Sequence, residues 1–355
     1  MKIGSMRYFN RERVETVIPH PAVVSTSLLG VEIELENALQ IYNDKGSSFG
    51  AWTLKSDGSL RNGGIEFVLT RPLGGAKLAK ALSDITTMLA EYQPDKSWRC
   101  STHVHINIKD FTVAQLKRLI LTMTVFEKVM FKCGAQNRYK NNFCIPYDVA
   151  QEQILTLSDC WDLDGSEFIN RVSRRWSKYS SLNLKPMTTL GSVELRIGNA
   201  ETEFDELLSM CNRLLTLKAL AADWEGDDEG YVQLLASIPF NNIFNKSICL
   251  DYEVNAEDIE RGVKNAMDIL TLKSIRTSMS DSVRFTTILE QSRVDDYMNY
   301  AVDNYSEEYL DENIYPINWN DMSLTNVTTI LGCLPISVDS LLNEHDVSVY
   351  QTMVM

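Results

Sequence analysis

The stretch "STHVHINIKD", residues 101–110, holds two of the four histidines in a chain of 355 residues. Polar and apolar residues alternate through it, the mark of a strand buried on one face. On such a strand His103, His105 and Asn107 project to one side, and Val104, Ile106 and Ile108 to the other. Whether the polar side is an ordinary wet surface or a chemical one depends on its neighbours.

Three further segments share this grammar. "LLGVEIELENAL" (28–39) sets Val31, Ile33 and Leu35 against Glu32, Glu34 and Glu36. "GIEFVL" (64–69) carries Glu66, and "GSVELRIGNA" (191–200) carries Glu194 and Arg196, each between aliphatic residues. Taken singly, the bland readings are strong. A Glu-x-Glu strand is most often the solvent side of a sheet, Glu-x-Arg is most often a weak surface pair, and one histidine is easily satisfied by a carbonyl. Taken together, in a chain so sparing of histidine, they predict one sheet face bearing four carboxylates, two imidazoles and a guanidinium. Carboxylates packed that closely repel, so the cluster implies cations. Oxygen ligands suit a hard ion such as Mg²⁺, and a phosphate-bearing substrate commonly completes its shell. The planar fork of Arg196 suits a phosphoryl oxygen.

Between the strands the pattern turns helical. Asp57-Gly58 and Asn62-Gly63-Gly64 mark turns. Residues 76–92 have helical spacing, as do 111–133, where Thr112 and Gln115 form a capping-box signature, and 203–224, which run into the acidic turn "EGDDEG". Residues 171–185 carry Arg171, Arg174, Arg175, Lys178 and Lys185 with no acid among them. That run reads either as a patch that collects a polyphosphate or as a solvated helix face paired with acidic neighbours. From residue 252 onward the pattern is mixed helical and acidic, densest over 298–316, which suggests a catalytic domain over 20–275 and a mostly helical acidic extension over 276–355.

Composition narrows the function. A formal charge of −14 argues against broad nucleic-acid binding and against docking on an anionic membrane. Seven cysteines without a Cys-x-x-Cys pair suggest reduced thiols packed as small hydrophobes. No apolar run approaches the roughly 20 residues that span a bilayer, and residues 1–15 lack the apolar core of a secretory signal. The expected location is cytoplasmic. No Gly-x-Ser-x-Gly, no Cys-His arrangement and no phosphate-loop signature is present, so phosphates would be held by metals and basic side chains.

The motifs "GVEIELE", "KSDGSL", "GIEFVLTRP", "STHVHINI", "RWSKYSSLNL" and "SVELRIG" follow one another in an order and spacing that resemble the amidoligase family. That family is a branch of the carboxylate-amine ligases related to glutamine synthetase and glutamate-cysteine ligase. "NRYKNNFCIPY" also fits its layout. The resemblance implies an α+β fold, a curved antiparallel sheet with helices on its outer face and a glutamine synthetase or guanidino-kinase-like core. It implies ATP with two Mg²⁺ or Mn²⁺ ions, and partners that are a carboxylate and an amine joined through an acyl phosphate. Carried over motif by motif, Glu32, His103 and Glu194 are implied ligands of the cation on the ATP phosphates, and Glu34 and Glu66 of the cation nearer the acceptor. His105, with Arg174 or Arg175, is implied on the nucleotide phosphates and Arg196 on the transferred group. Tyr179 and Asn183 are implied on the substrate side. Arg71, standing in "FVLTRPL" where a Ser-Pro step is expected, adds a cation there. A homo-oligomer is compatible with the sequence.

Two other enzyme classes compete, as does a non-enzymatic binding protein on the same scaffold, which the completeness of the ligand set disfavours. A zinc-dependent hydrolase also uses His-x-His, but only His20 and His345 remain to complete its ligands. A guanidino kinase shares the distant fold, but its helix-rich N-terminal domain is not evident.

Overall fold

The computed structural model describes residues 1–6, 9, 16–134, 138, 139, 141–147, 149–238 and 256–278. The alternating segments are strands: β1 (Leu29–Leu35), β2 (Ser48–Phe49), β3 (Trp52–Ser56), β4 (Ile65–Leu69), β5 (Ser101–Asn107), β6 (Leu182–Asn183) and β7 (Ser192–Asn199). They form one seven-stranded sheet in the order β2-β3-β4-β1-β5-β7-β6, antiparallel at every step. The predicted turns join them. Asp57 accepts the Ser59 N–H at 2.7 Å, and Asn62 and Gly63 both take positive φ.

Alternation puts Val31, Ile33, Leu35, Phe67, Val104, Ile106, Val193 and Leu195 on one face, and all are buried. Each such side chain removed from water contributes about 1.5–3 kcal/mol. The helices are α1 (Leu39–Lys45), α2 (Gly75–Tyr92), α3 (Val113–Gly134), α4 (Gln151–Cys160), α5 (Gly165–Arg175), α6 (Phe204–Ala222), α7 (Asp228–Ser237) and α8 (Ala256–Ser278). Helix α6 packs against β5 and α3 against β7, while α2 flanks α6. The Trp52 indole, fully buried on β3, donates to the Ala81 carbonyl at 3.0 Å and ties α2 to the sheet. The fold is therefore α+β, an antiparallel sheet with helices.

Helix α3 is buried almost all round, from Leu116 to Phe131, as expected of a helix enclosed by other elements. Its capping box forms: the Thr112 N–H donates to Gln115 Oε1 at 2.9 Å, and the Gln115 N–H to Thr112 Oγ1 at 3.3 Å. Helix α8 lies on α3, α4 and α7. A Cβ on Gly262 would fall 2.1 Å from the Val125 carbonyl oxygen, so the two helix backbones meet there. The proposed division at 275/276 falls inside α8, and residues 279–355, with the 298–316 acidic run and His345, lie outside the described residues. No helix among the described residues is long and apolar enough to cross a membrane.

Candidate active site

The strand register assembles the polar face. Glu34 stands opposite Glu66, Glu32 opposite His103, His105 opposite Glu194, and Glu194 opposite Asn183. Across from His105 on β1 is Gly30, where a Cβ would lie only 3.3 Å from that of His105, so glycine leaves the imidazole its room. The β5–β7 register shifts between Thr102, paired with Gly198, and Val104, paired with Leu195. Arg196 and Ile197 together therefore oppose His103, a bulge of the kind that re-aims a side chain beside a site.

The two histidines are held alike. His103 Nε2 lies 2.8 Å from Ser101 Oγ, which donates its one hydrogen to Glu34 Oε2, so the serine oxygen accepts from the imidazole. This leaves His103 Nδ1 facing Glu32 Oε2 at 3.4 Å and Glu194 Oε1 at 3.5 Å. His105 Nδ1 is 3.2 Å from Ser192 Oγ. Its Nε2 approaches Glu32 Oε1 at 3.2 Å and Glu194 Oε2 at 3.9 Å without hydrogen-bond geometry to either, and it is buried. Each imidazole is thus fixed by a serine and turns its other nitrogen to the same two carboxylates. Arg196 Nη1 donates to Glu194 Oε1 and its Nε to the Phe143 carbonyl at 3.2 Å. Asn183 Nδ2 donates to Glu194 Oε2 at 2.7 Å.

These charges shape one another. Burial pushes the Glu32 carboxyl up, but the imidazoles of His103 and His105 outweigh it and hold it well below the usual range. Burial likewise acts against the charged forms of Glu194 and His105. Arg196 and the histidines lower Glu194 nonetheless, and Glu32 and Glu194 raise His105. Glu66 is compensated less: burial, with the charges of Glu32 and Glu34, outweighs Lys55 opposite it on β3 and pushes it up to about 7. The face is a salt-bridged nest around Glu32 and Glu194, with the less compensated carboxyl of Glu66 opposite Glu34.

Other expected residues lie farther out. Tyr179 packs edge-on against Phe143, ring centres 5.9 Å apart, which places it next to the carbonyl that orients Arg196. Arg71 is exposed just beyond β4. Arg174 and Arg175 are exposed at the end of α5, where Arg175 pairs with Asp159 at 3.2 Å, as Arg171 pairs with Glu167 at 3.0 Å. For those two pairs the solvated-face reading describes the structure. Glu36, though buried, accepts the Arg61 N–H at 2.9 Å and serves the turn before β4.

Several side chains at the site are not among the expected residues. Ser101 and Ser192, which alternation sets on the same face two residues before His103 and Glu194, back the imidazoles. Glu127, in the apolar run of α3, accepts the Tyr147 N–H at 2.9 Å and the Ser181 hydroxyl, and so stitches the 141–147 loop to the segment leading into β6. Arg138, within "NRYKNNFCIPY", is only 2% exposed and donates to the carbonyls of Cys100 and Trp98. Cys144 lies near both Arg138 and Arg196, yet burial pushes its thiol up to about 12, which keeps it a neutral core residue rather than a nucleophile. The signal for Arg138 and Glu127 is chemical only: each is a charge inside a run that is otherwise buried.

Glu32, His105 and Glu194 each offer a ligand atom within 4.8 Å of the others, and among the described residues the buried Nε2 of His105 makes no hydrogen bond of good geometry, its nearest acceptor being Glu32. Two carboxylates and an imidazole so placed fit a divalent cation. No curated protein matches the chain. A family model described as "Putative amidoligase enzyme" matches residues 14–212, the span that contains every strand of the sheet. The chain belongs to the amidoligase family.

Proposed function

We propose that this chain is an ATP- and Mg²⁺-dependent carboxylate-amine ligase of the cytoplasm, with a glutamine synthetase-like core, that forms an amide through an acyl phosphate. The observation that carries this reading is the facing of Glu32 and Glu194 with His103 and His105 across three strands, with Arg196 bound to Glu194. Glu32, His105 and Glu194 would hold one divalent cation and Glu34 with Glu66 a second. Bound there, the ions would neutralise the charge that spreads over a transferred phosphoryl group. The spacing of Glu32, His105 and Glu194 supports giving His105 to the cation, while His103 faces the same carboxylates from its Nδ1 atom.

The chain's own residues would do the positioning. Arg196, fixed at two points by Glu194 and the Phe143 carbonyl, presents a preorganised guanidinium to phosphoryl oxygens. Asn183 holds the second oxygen of Glu194, and Ser101 fixes Glu34 and His103 together. Phosphoryl transfer asks for positioning and charge rather than a protein nucleophile, which suits a site whose nearest thiol stays protonated. The acceptor acid would lie at the Glu34–Glu66 end, beside Tyr179 and Phe143.

The test is a screen of carboxylic acids and amines for release of ADP and phosphate from ATP, with mass spectrometry of the products. The proposal expects ADP formation that needs an acid and an amine together, and a product mass equal to their condensation. Hydrolysis of a substrate bond without ATP would replace it with a metal-dependent hydrolase.

A further inference from the structure

Arg138 is among the largest fully buried side chains of the protein, and it carries a charge. Its guanidinium has five N–H donors. Nη1 donates to the Cys100 carbonyl at 3.1 Å and reaches the Trp98 carbonyl at 3.5 Å, which fixes the plane of the group. Among the described residues, Nε and Nη2 have no oxygen or nitrogen to donate to, and the neutral thiol of Cys144 is the one side chain that hydrogen-bonds the guanidinium. Those two atoms are not a random pair: they are the side-on edge of the guanidinium, whose parallel N–H bonds match the two oxygens of a carboxylate or phosphate. Buried charged donors left unmatched are costly, so a dry fork without an oxygen acceptor calls for an explanation.

The neighbours supply only part of the missing charge. The ionisable groups that act on Arg138 are Cys144, Glu34 and Arg196. Glu34 is the one carboxylate among them and also acts on Arg196, the Cys144 thiol is neutral, and Arg196 has the same sign. Two guanidiniums therefore lie near one another at the Glu34 end of the cluster. Burial weakens the charged form of Arg138, as expected where compensation is incomplete.

We propose that Arg138 is a substrate-binding residue, its Nε–Nη2 fork receiving an oxyanion of the acceptor acid: the carboxylate, or the phosphoryl group that replaces its charge. This rests on the ligase reading for the identity of the anion but not for its existence. The fork is shut off from water, so occupancy requires neighbouring side chains to move aside. The two carbonyls that hold Nη1 keep the fork aligned while they do.

The experiment titrates the full chain, in constant Mg²⁺, with phosphonoacetate and separately with inorganic phosphate, by calorimetry. Arg138→Met should weaken phosphonoacetate at least tenfold. Arg138→Lys, which keeps the charge and loses the fork, should also weaken it, by a smaller factor. Lys80→Met, on the surface of α2, should change nothing. Without anion, Arg138→Met should melt no lower than the parent, because it removes an uncompensated buried charge. A loss confined to phosphonoacetate assigns the fork to the carboxylate, and an equal loss with phosphate assigns it to the phosphoryl group. Unchanged affinity in both variants, no binding of either anion to the parent, or a marked fall in melting temperature for Arg138→Met overturns the proposal. Should Arg138→Met fail to fold, that too assigns Arg138 to the fold. Arg138-dependent binding without ADP formation from any acid and amine would leave the anion site standing and remove the ligase reading. Ligation with an acid KM unaffected in Arg138→Lys would do the reverse.

Discussion

Glu66 is a carboxyl of the site whose charge changes near neutrality. Its folded pKa of about 7 lies above its ordinary value of 4.5, because burial and the charges of Glu32 and Glu34 disfavour the carboxylate. The stabilising contribution of the protonated form is therefore complete below about pH 4.5 and lost as pH rises through 7. Glu66→Gln should flatten that decline in melting temperature for the cation-free protein. A cation ligand must be deprotonated, so added Mg²⁺ should raise the melting temperature more at pH 8 than at pH 6. Equal rises at the two pH values would take Glu66 out of the cation site. Glu34→Ala or Arg196→Ala should lower ligation on the true substrate pair by ~10²-fold or more while far-ultraviolet circular dichroism is unchanged. Retained ligation in either variant would remove that residue from the mechanism. At this scale the sequence is legible wherever alternation fixes direction, as for Glu32, Glu34, His103, His105 and Glu194. It is silent on Arg138 and Glu127, because nothing about a loop arginine or a helical glutamate says which distant carbonyl or N–H it meets.

Elements differ in how much of them is local. The capping box of α3 involves residues three apart, so Thr112 and Gln115 announce it directly. Thr112→Ala should cost about 1 kcal/mol, measured by urea unfolding. The close crossing of α8 over α3 depends instead on Gly262 meeting the Val125 carbonyl from a distant part of the chain. Gly262→Ala should destabilise by about 1–3 kcal/mol in the same measurement, and no effect would mean that α8 does not pack there as described. The bulge that sets Arg196 against His103 is likewise invisible in "SVELRIG", whose alternation runs on without a break. The basic run over 171–185 shows the opposite error of a narrow window. Its acidic partners exist, but Glu167 precedes the run and Asp159 belongs to another helix.

For the whole molecule, the decisive step is that β5 lies between β1 and β7, with β4 on the far side of β1 and β6 on the far side of β7. Four segments separated by long helices and loops are thereby stacked so that their polar residues share one face. The strands and their shared polar face follow from the grammar of those segments, and the antiparallel α+β sheet from the family resemblance, but the strand order and register rest on pairings between distant parts of the chain. On the proposed mechanism this face transfers a phosphoryl group from ATP to a carboxylate before an amine displaces it. With an acid that supports turnover, labelled with ¹⁸O in its carboxylate, the released phosphate can be analysed by mass spectrometry. One ¹⁸O atom is expected in that phosphate for each amide formed, with ADP as the nucleotide product. Phosphate free of label, released while the amide forms, would contradict that mechanism.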